Sequence, residues 1–179
     1  MAYTIEEHSH RLAAWTASRA ASVKGCRFRV EQGVDILEAA GFTASFSLED
    51  LPTTPPALDS AHREWRDRVI GAARGLGLSF SHGISAKLIN CYLKVRFVCG
   101  GQHDRDCVRI LHPPLDELLL LELAKRNIGG NADKWKAYRA LRWSKFDSDT
   151  YEEAIASIRE ALAPGEPLWK IEEYWKGYQ

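Results

Sequence analysis

His82-Gly83-Ile84-Ser85-Ala86-Lys87 runs into Leu88-Ile89-Asn90-Cys91-Tyr92 and, beyond a polar loop, is followed by His112-Pro113-Pro114-Leu115-Asp116. Glycine at 83 suits a tight turn, because without a Cβ the backbone can bring its amide N–H groups close to an anion at the positive end of the next helix. Leu88, Cys91, Tyr92, Val95 and Val98 then recur at intervals of three and four, which predicts an apolar helix from about Ser85 to the Gly100-Gly101 stop. Lys87 falls in the first turn of that helix. Pro113-Pro114 impose an extended approach, and Asp116 stands where an N-cap would open a helix over 115–126.

Outward from this stretch, almost every periodic segment reads as helix. Thr4 is a candidate N-cap with Glu6 and Glu7 behind it, and Ile5, His8, Leu12, Trp15 and Arg19 share one face of a helix ending near Val23. A second helix is predicted over 30–40, stopped by Gly41. A third begins after Asp59 or Ser60 and ends at Leu76-Gly77, with Ala61, Trp65, Val69, Ala72, Ala73 and Leu76 inward. Further helices are expected over 132–141 after Asn131, over 150–162 after Ser148 or Asp149, and over 168–175 after Pro167. Strand signals are confined to 42–48 and 108–111. The fold class is therefore all-α, a compact domain of about eight helices.

With 179 residues, 45% hydrophobic side chains and six tryptophans, the chain can bury a real core. It does so either as one domain over 1–179 or as two lobes divided near 51–57, where Leu51-Pro52-Thr53-Thr54-Pro55-Pro56 interrupts the pattern. No basic, apolar leader opens the chain, and no apolar run is long enough to span a bilayer, so a cytoplasmic monomer without membrane contact is expected. Cys26, Cys91, Cys99 and Cys107 read as reduced thiols. The 24 basic and 24 acidic residues cancel, which removes any bulk attraction to nucleic acid. A phosphate-binding surface must then be local. The basic residues do gather, at Lys24, Arg27 and Arg29, at Arg63, Arg66, Arg68 and Arg74, and at Lys134, Lys136, Arg139, Arg142 and Lys145. Taken alone, each group reads first as a solvated helix face.

Gly83-Ile84-Ser85-Ala86-Lys87 matches the Gly-hydrophobic-Gly-x-Lys hairpin of helix-hairpin-helix proteins position for position, with serine at the second glycine. Together with Pro114-Leu115-Asp116, it resembles the helix-hairpin-helix DNA glycosylase superfamily and its 8-oxoguanine glycosylase-like branch. The resemblance covers about 76–124, and a polar insertion over 99–109 lengthens the interval between Lys87 and Asp116. It implies a base-excision repair enzyme, a glycosylase with lyase activity on an oxidised purine in double-stranded DNA. In that reading Lys87 is the nucleophile, attacking the sugar C1′ as the base leaves and forming a Schiff base, and Asp116 assists as the ionised carboxylate. His82, Gly83, Ser85 and Asn90 would contact DNA, and Trp143, Ser144 and Phe146 would line the pocket for the flipped base. No cofactor is implied, since the four cysteines an iron–sulfur cluster needs do not follow Cys107.

Each of these residues also has an ordinary reading. Lys87 can be a helix lysine, Asp116 a simple N-cap, Asn90 an exposed asparagine, and Trp143 and Phe146 core aromatics. Cys99, His103, Cys107 and His112 are zinc-ligand types at spacings of four and five, but form no Cys-x-x-Cys knuckle. The competing function is a helix-hairpin-helix module that binds DNA or a protein without chemistry.

Overall fold

A computed structural model describes residues 3–178. The fold is all-α, with no strand among the described residues. In chain order the helices are α1 (Ile5–Ala21), α2 (Val30–Ala39), α3 (Pro55–Gly75), α4 (His82–Leu93), α5 (Asp106–Arg109), α6 (Glu117–Lys125), α7 (Ala132–Leu141) and α8 (Ser148–Ala161). A wide π-type segment, Lys94–Gln102, continues α4, and 3-10 turns occupy Trp143–Lys145 and Leu168–Tyr174.

The segment α4 is the axis of the molecule. Every residue from Gly83 to Leu93 is buried, as befits a helix that is apolar on all sides. Ile84, Leu88, Ile89 and Tyr92 belong to a core built from α1, α2, α3 and the chain up to Leu111. Ala86, on another side, belongs to a second core of Leu119, Leu120, Leu123, Trp135, Tyr151, Ile155 and Ile158 from α6, α7 and α8.

Four expectations need correction. The helix carrying Lys87 starts at His82, capped by the Ser81 hydroxyl accepting from the Ile84 N–H at 3.1 Å, so Gly83 lies inside the first turn and not in a hairpin before it. The helix α3 starts at Pro55, because prolines are tolerated in a first turn where no N–H partner is required. Trp65, Val69 and Ala73 face inward as predicted, but Leu76 is exposed, and His62 and Arg66 are buried in its place. The strand candidates 42–48 and 108–111 are instead a turn leading to the 3-10 segment Leu48–Asp50 and the end of the short α5.

The helix α1 is rotated relative to its large apolar residues. Ile5, Leu12 and Trp15 are 72%, 52% and 53% exposed, whereas Ala13, Ala14, Ala17, Ser18 and Ala21 are buried. Small side chains let helices approach closely. A Cβ on Gly33 of α2 would lie 2.1 Å from Ser18 Oγ, so the α1–α2 contact needs glycine there.

Candidate functional site

The N-cap of α6 and the buried side of α4 meet. Asp116 Oδ1 accepts the Leu119 N–H at 2.9 Å, which closes the first turn of α6. Its second oxygen, Oδ2, accepts from Lys87 Nζ at 2.9 Å and from the Trp175 indole Nε1 at 2.9 Å. The lysine is almost fully buried, and its ammonium stands 5.7 Å from the centre of the Trp143 ring. Burial pushes the Asp116 carboxyl up, but Lys87 and the Leu119 and Trp175 donors outweigh it and hold the group below the usual aspartate value.

Lys87 and Asp116 form part of the wall of a cavity of about 290 Å³, with Thr16 and Ala20 of α1, Cys91, Lys94, Val95, Pro114, Glu172 and Trp175. Lys94 donates to Glu172 and stands 5.6 Å from the Trp175 ring centre. Burial raises the Glu172 carboxyl above its ordinary pKa despite that partner. For Lys94, burial works against the ammonium but Glu172 prevails, and its pKa is raised. Burial also raises the Cys91 thiol, which makes it a poor nucleophile. The cavity thus presents an indole wall, an ammonium donor, a carboxylate acceptor and the Lys87–Asp116 pair. Cys91 and Lys94 follow Lys87 by four and seven residues on one helix face and could have been read from that spacing. Glu172 and Trp175 carry no local signal, since they arrive from the C-terminal 3-10 turn.

The other expected site residues occupy different surroundings. His82 is half-buried at the start of α4, where burial lowers its pKa. The Gly83 N–H donates to the Phe146 carbonyl at 3.1 Å, and Ser85, fully buried, donates from its hydroxyl to the Ser81 carbonyl at 2.9 Å. Trp143 and Ser144 are partly exposed. The Ser144 carbonyl accepts from the Ser81 hydroxyl at 2.8 Å. Phe146 is buried in the second core against Tyr138.

Asn90 is fully buried and organises a polar network in place of a surface contact. Its Oδ1 accepts from His62 Nε2 at 2.7 Å, and its Nδ2 donates to the Pro113 carbonyl at 3.1 Å and to Tyr151 Oη at 3.0 Å. The Tyr151 hydroxyl donates to His112 Nδ1 at 2.9 Å, and His112 Nε2 donates to Asp59 Oδ1 at 2.9 Å. Arg159 grips the same carboxylate through both terminal nitrogens, at 2.9 and 2.6 Å. The network ties α3, α4 and α8 to Pro113 and so fixes the approach to Asp116. It also engages His112, one of the zinc-type residues. Among the described residues no group of three or more His, Cys, Asp or Glu is placed to hold a metal.

Burial drives the pKa of both His62 and His112 below the ordinary imidazole value. Held neutral in the folded chain, these rings take up protons only on unfolding once the pH falls below about 6.5. Stability is therefore expected to decline as the pH falls below about 6.5. Urea midpoints at neutral and mildly acidic pH measure this, and a flat profile across that window would contradict it. At lower pH, Glu152, held at about 2 by Arg63 and Arg66, and Asp59, held low by His112 and Arg159 against its burial, lose their contribution as they protonate.

No family model, curated protein or solved structure matches the chain. No helix among the described residues is long and apolar enough to cross a membrane.

Proposed function

We propose that the protein is a DNA glycosylase with lyase activity, acting on an oxidised purine of the 8-oxoguanine type in double-stranded DNA. The observation that carries the reading is the 2.9 Å contact between Lys87 Nζ and Asp116 Oδ2 in the wall of a cavity with an indole side. At about 290 Å³ the cavity is at the small end of ligand sites, which run from ~300 Å³ upward. It suits a single flipped base and excludes a duplex, so the target nucleotide must leave the stack.

In this reading the base lies along Trp175, with Lys94 as a donor and Glu172 as an acceptor at its edge. The Lys87 ammonium gives one proton to the departing base, and the resulting amine forms a bond to C1′ as the C1′–N9 bond breaks and the base leaves with the bonding electrons. Proton loss from nitrogen and opening of the sugar ring then leave an imine joining Lys87 to the DNA. Asp116 stabilises positive charge developing at C1′. Its orientation is set beforehand by Leu119, Trp175 and, through Pro113, the Asn90 network.

Borohydride trapping tests the proposal. The full chain, incubated with duplexes carrying 8-oxoguanine or an abasic site and then reduced, is expected to form a covalent protein–DNA adduct. Binding without adduct across a panel of base lesions and abasic sites would leave the non-catalytic helix-hairpin-helix module as the function.

A further inference from the structure

A second concavity, of about 590 Å³, opens between the end of α1 and the α7 to Ser144 segment, and its wall carries Lys24, Lys136, Arg139 and Arg142. Glu117 is the single acid in that wall, and it is already bonded to Arg139. Lys136 pairs with Asp133 at 3.0 Å, but both side chains are well exposed, so that pair is weak. Among the described residues Lys24 and Arg142 have no ion pair or side-chain hydrogen bond. In a chain of zero net charge, this is a local excess of cations on one concave surface.

Two further observations give the groove a direction and a purpose. Trp143 lines it and also lies 5.7 Å below the Lys87 ammonium, so the groove ends beside the Lys87–Asp116 pair. Arg142 holds φ 65° and ψ 118°, a backbone state that L residues rarely adopt. Such strain concentrates where a side chain must be aimed. By contrast, the Gly83 N–H, which a hairpin would turn toward phosphate, is bonded internally to Phe146, and Ser85 is fully buried.

We propose that this groove, and not the glycine segment, holds the DNA sugar–phosphate backbone next to the extruded nucleotide, with Lys24, Lys136 and Arg142 as its phosphate contacts. The inference rests on the glycosylase reading and specifies where its substrate is gripped.

Fluorescence anisotropy tests it with a duplex carrying a tetrahydrofuran abasic analogue, titrated between about 50 and 200 mM salt. A Lys24→Ala, Lys136→Ala, Arg142→Gly triple variant should lose about one unit of log Kd against log salt slope per removed cation, about three in all. All three side chains are exposed, and glycine relieves the backbone at 142, so the thermal midpoint should not fall. A parent that binds while the triple variant keeps its slope and affinity would overturn the groove assignment alone. Displacement of the duplex by poly-glutamate as readily as by unlabelled DNA would assign the groove to an acidic protein partner instead. A parent that binds no DNA would overturn both the groove and the glycosylase reading.

Discussion

Lys87→Gln is expected to abolish the borohydride-trapped adduct, a loss of at least ~10³-fold, while duplex binding changes little. Glutamine is the informative replacement because its amide can still donate to Asp116 Oδ2, which also keeps the Trp175 donor, while Oδ1 keeps the Leu119 N–H. Methionine would remove the hydrogen bond as well as the cation, and leaving a buried carboxylate with neither destabilises by about 3–5 kcal/mol. Asp116→Asn should behave differently. It preserves the N-cap acceptor and the shape of the site but removes the charge facing C1′, so single-turnover adduct formation should slow by about 10²–10³-fold without vanishing. The pattern of abolition at 87 and slowing at 116 separates a nucleophile from a group that stabilises charge. An adduct that survives Lys87→Gln but disappears in Lys94→Gln would move the nucleophile along the same wall of the cavity.

The sequence exposes the helical fold because most elements carry their own signals. Thr4 and Asp116 each accept an N–H from the first turn they open, and apolar spacing marks the helices between, although α4 and α8 are capped by Ser81 and Asp147, earlier than their sequence pattern suggests. Local signals place Lys87 on an apolar helix and Asp116 at a helix cap after two prolines, but their convergence is implied in the sequence only by the family resemblance. What the sequence conceals depends on contacts between distant segments. The face of α1 is misleading because alanine, with little hydrophobic area, is buried for the closeness it permits, leaving Trp15 and Leu12 outside. Asn90 looks like a surface donor until Pro113, Tyr151 and His62 surround it. Trp175 and Glu172 reach the cavity only through the path of the last turn. The same limit applies to Gly83, whose significance changes from a turn to a packing contact.

Gly83→Ala carries the largest expected effect on stability. A Cβ there would lie 1.8 Å from the Trp143 carbonyl oxygen, 3.0 Å from its carbonyl carbon and 3.2 Å from Phe146 Cβ. The nearest obstacles are backbone atoms, so no side-chain rotation can relieve the clash. Either α4 moves or the 143–146 segment does, and both displacements strain the Gly83 N–H bond to Phe146 and the Ser81 hydroxyl bond to Ser144. Overpacking of ~1–3 kcal/mol and about 1 kcal/mol for each weakened hydrogen bond give a loss of roughly 3–5 kcal/mol. That is a large fraction of the ~5–15 kcal/mol that holds a domain together. Gly71→Ala supplies the opposite control. It lies inside α3 with nothing within 4 Å of the added methyl, so it should stabilise by about 0.5–1 kcal/mol. Urea unfolding of the two variants side by side measures the contrast. A Gly83→Ala chain as stable as the parent would show that the Trp143 carbonyl does not close over this glycine, and would free the Gly83 N–H for an anion. A strongly destabilised one keeps Gly83 as the contact that seats the 143–146 segment against α4, beside Lys87.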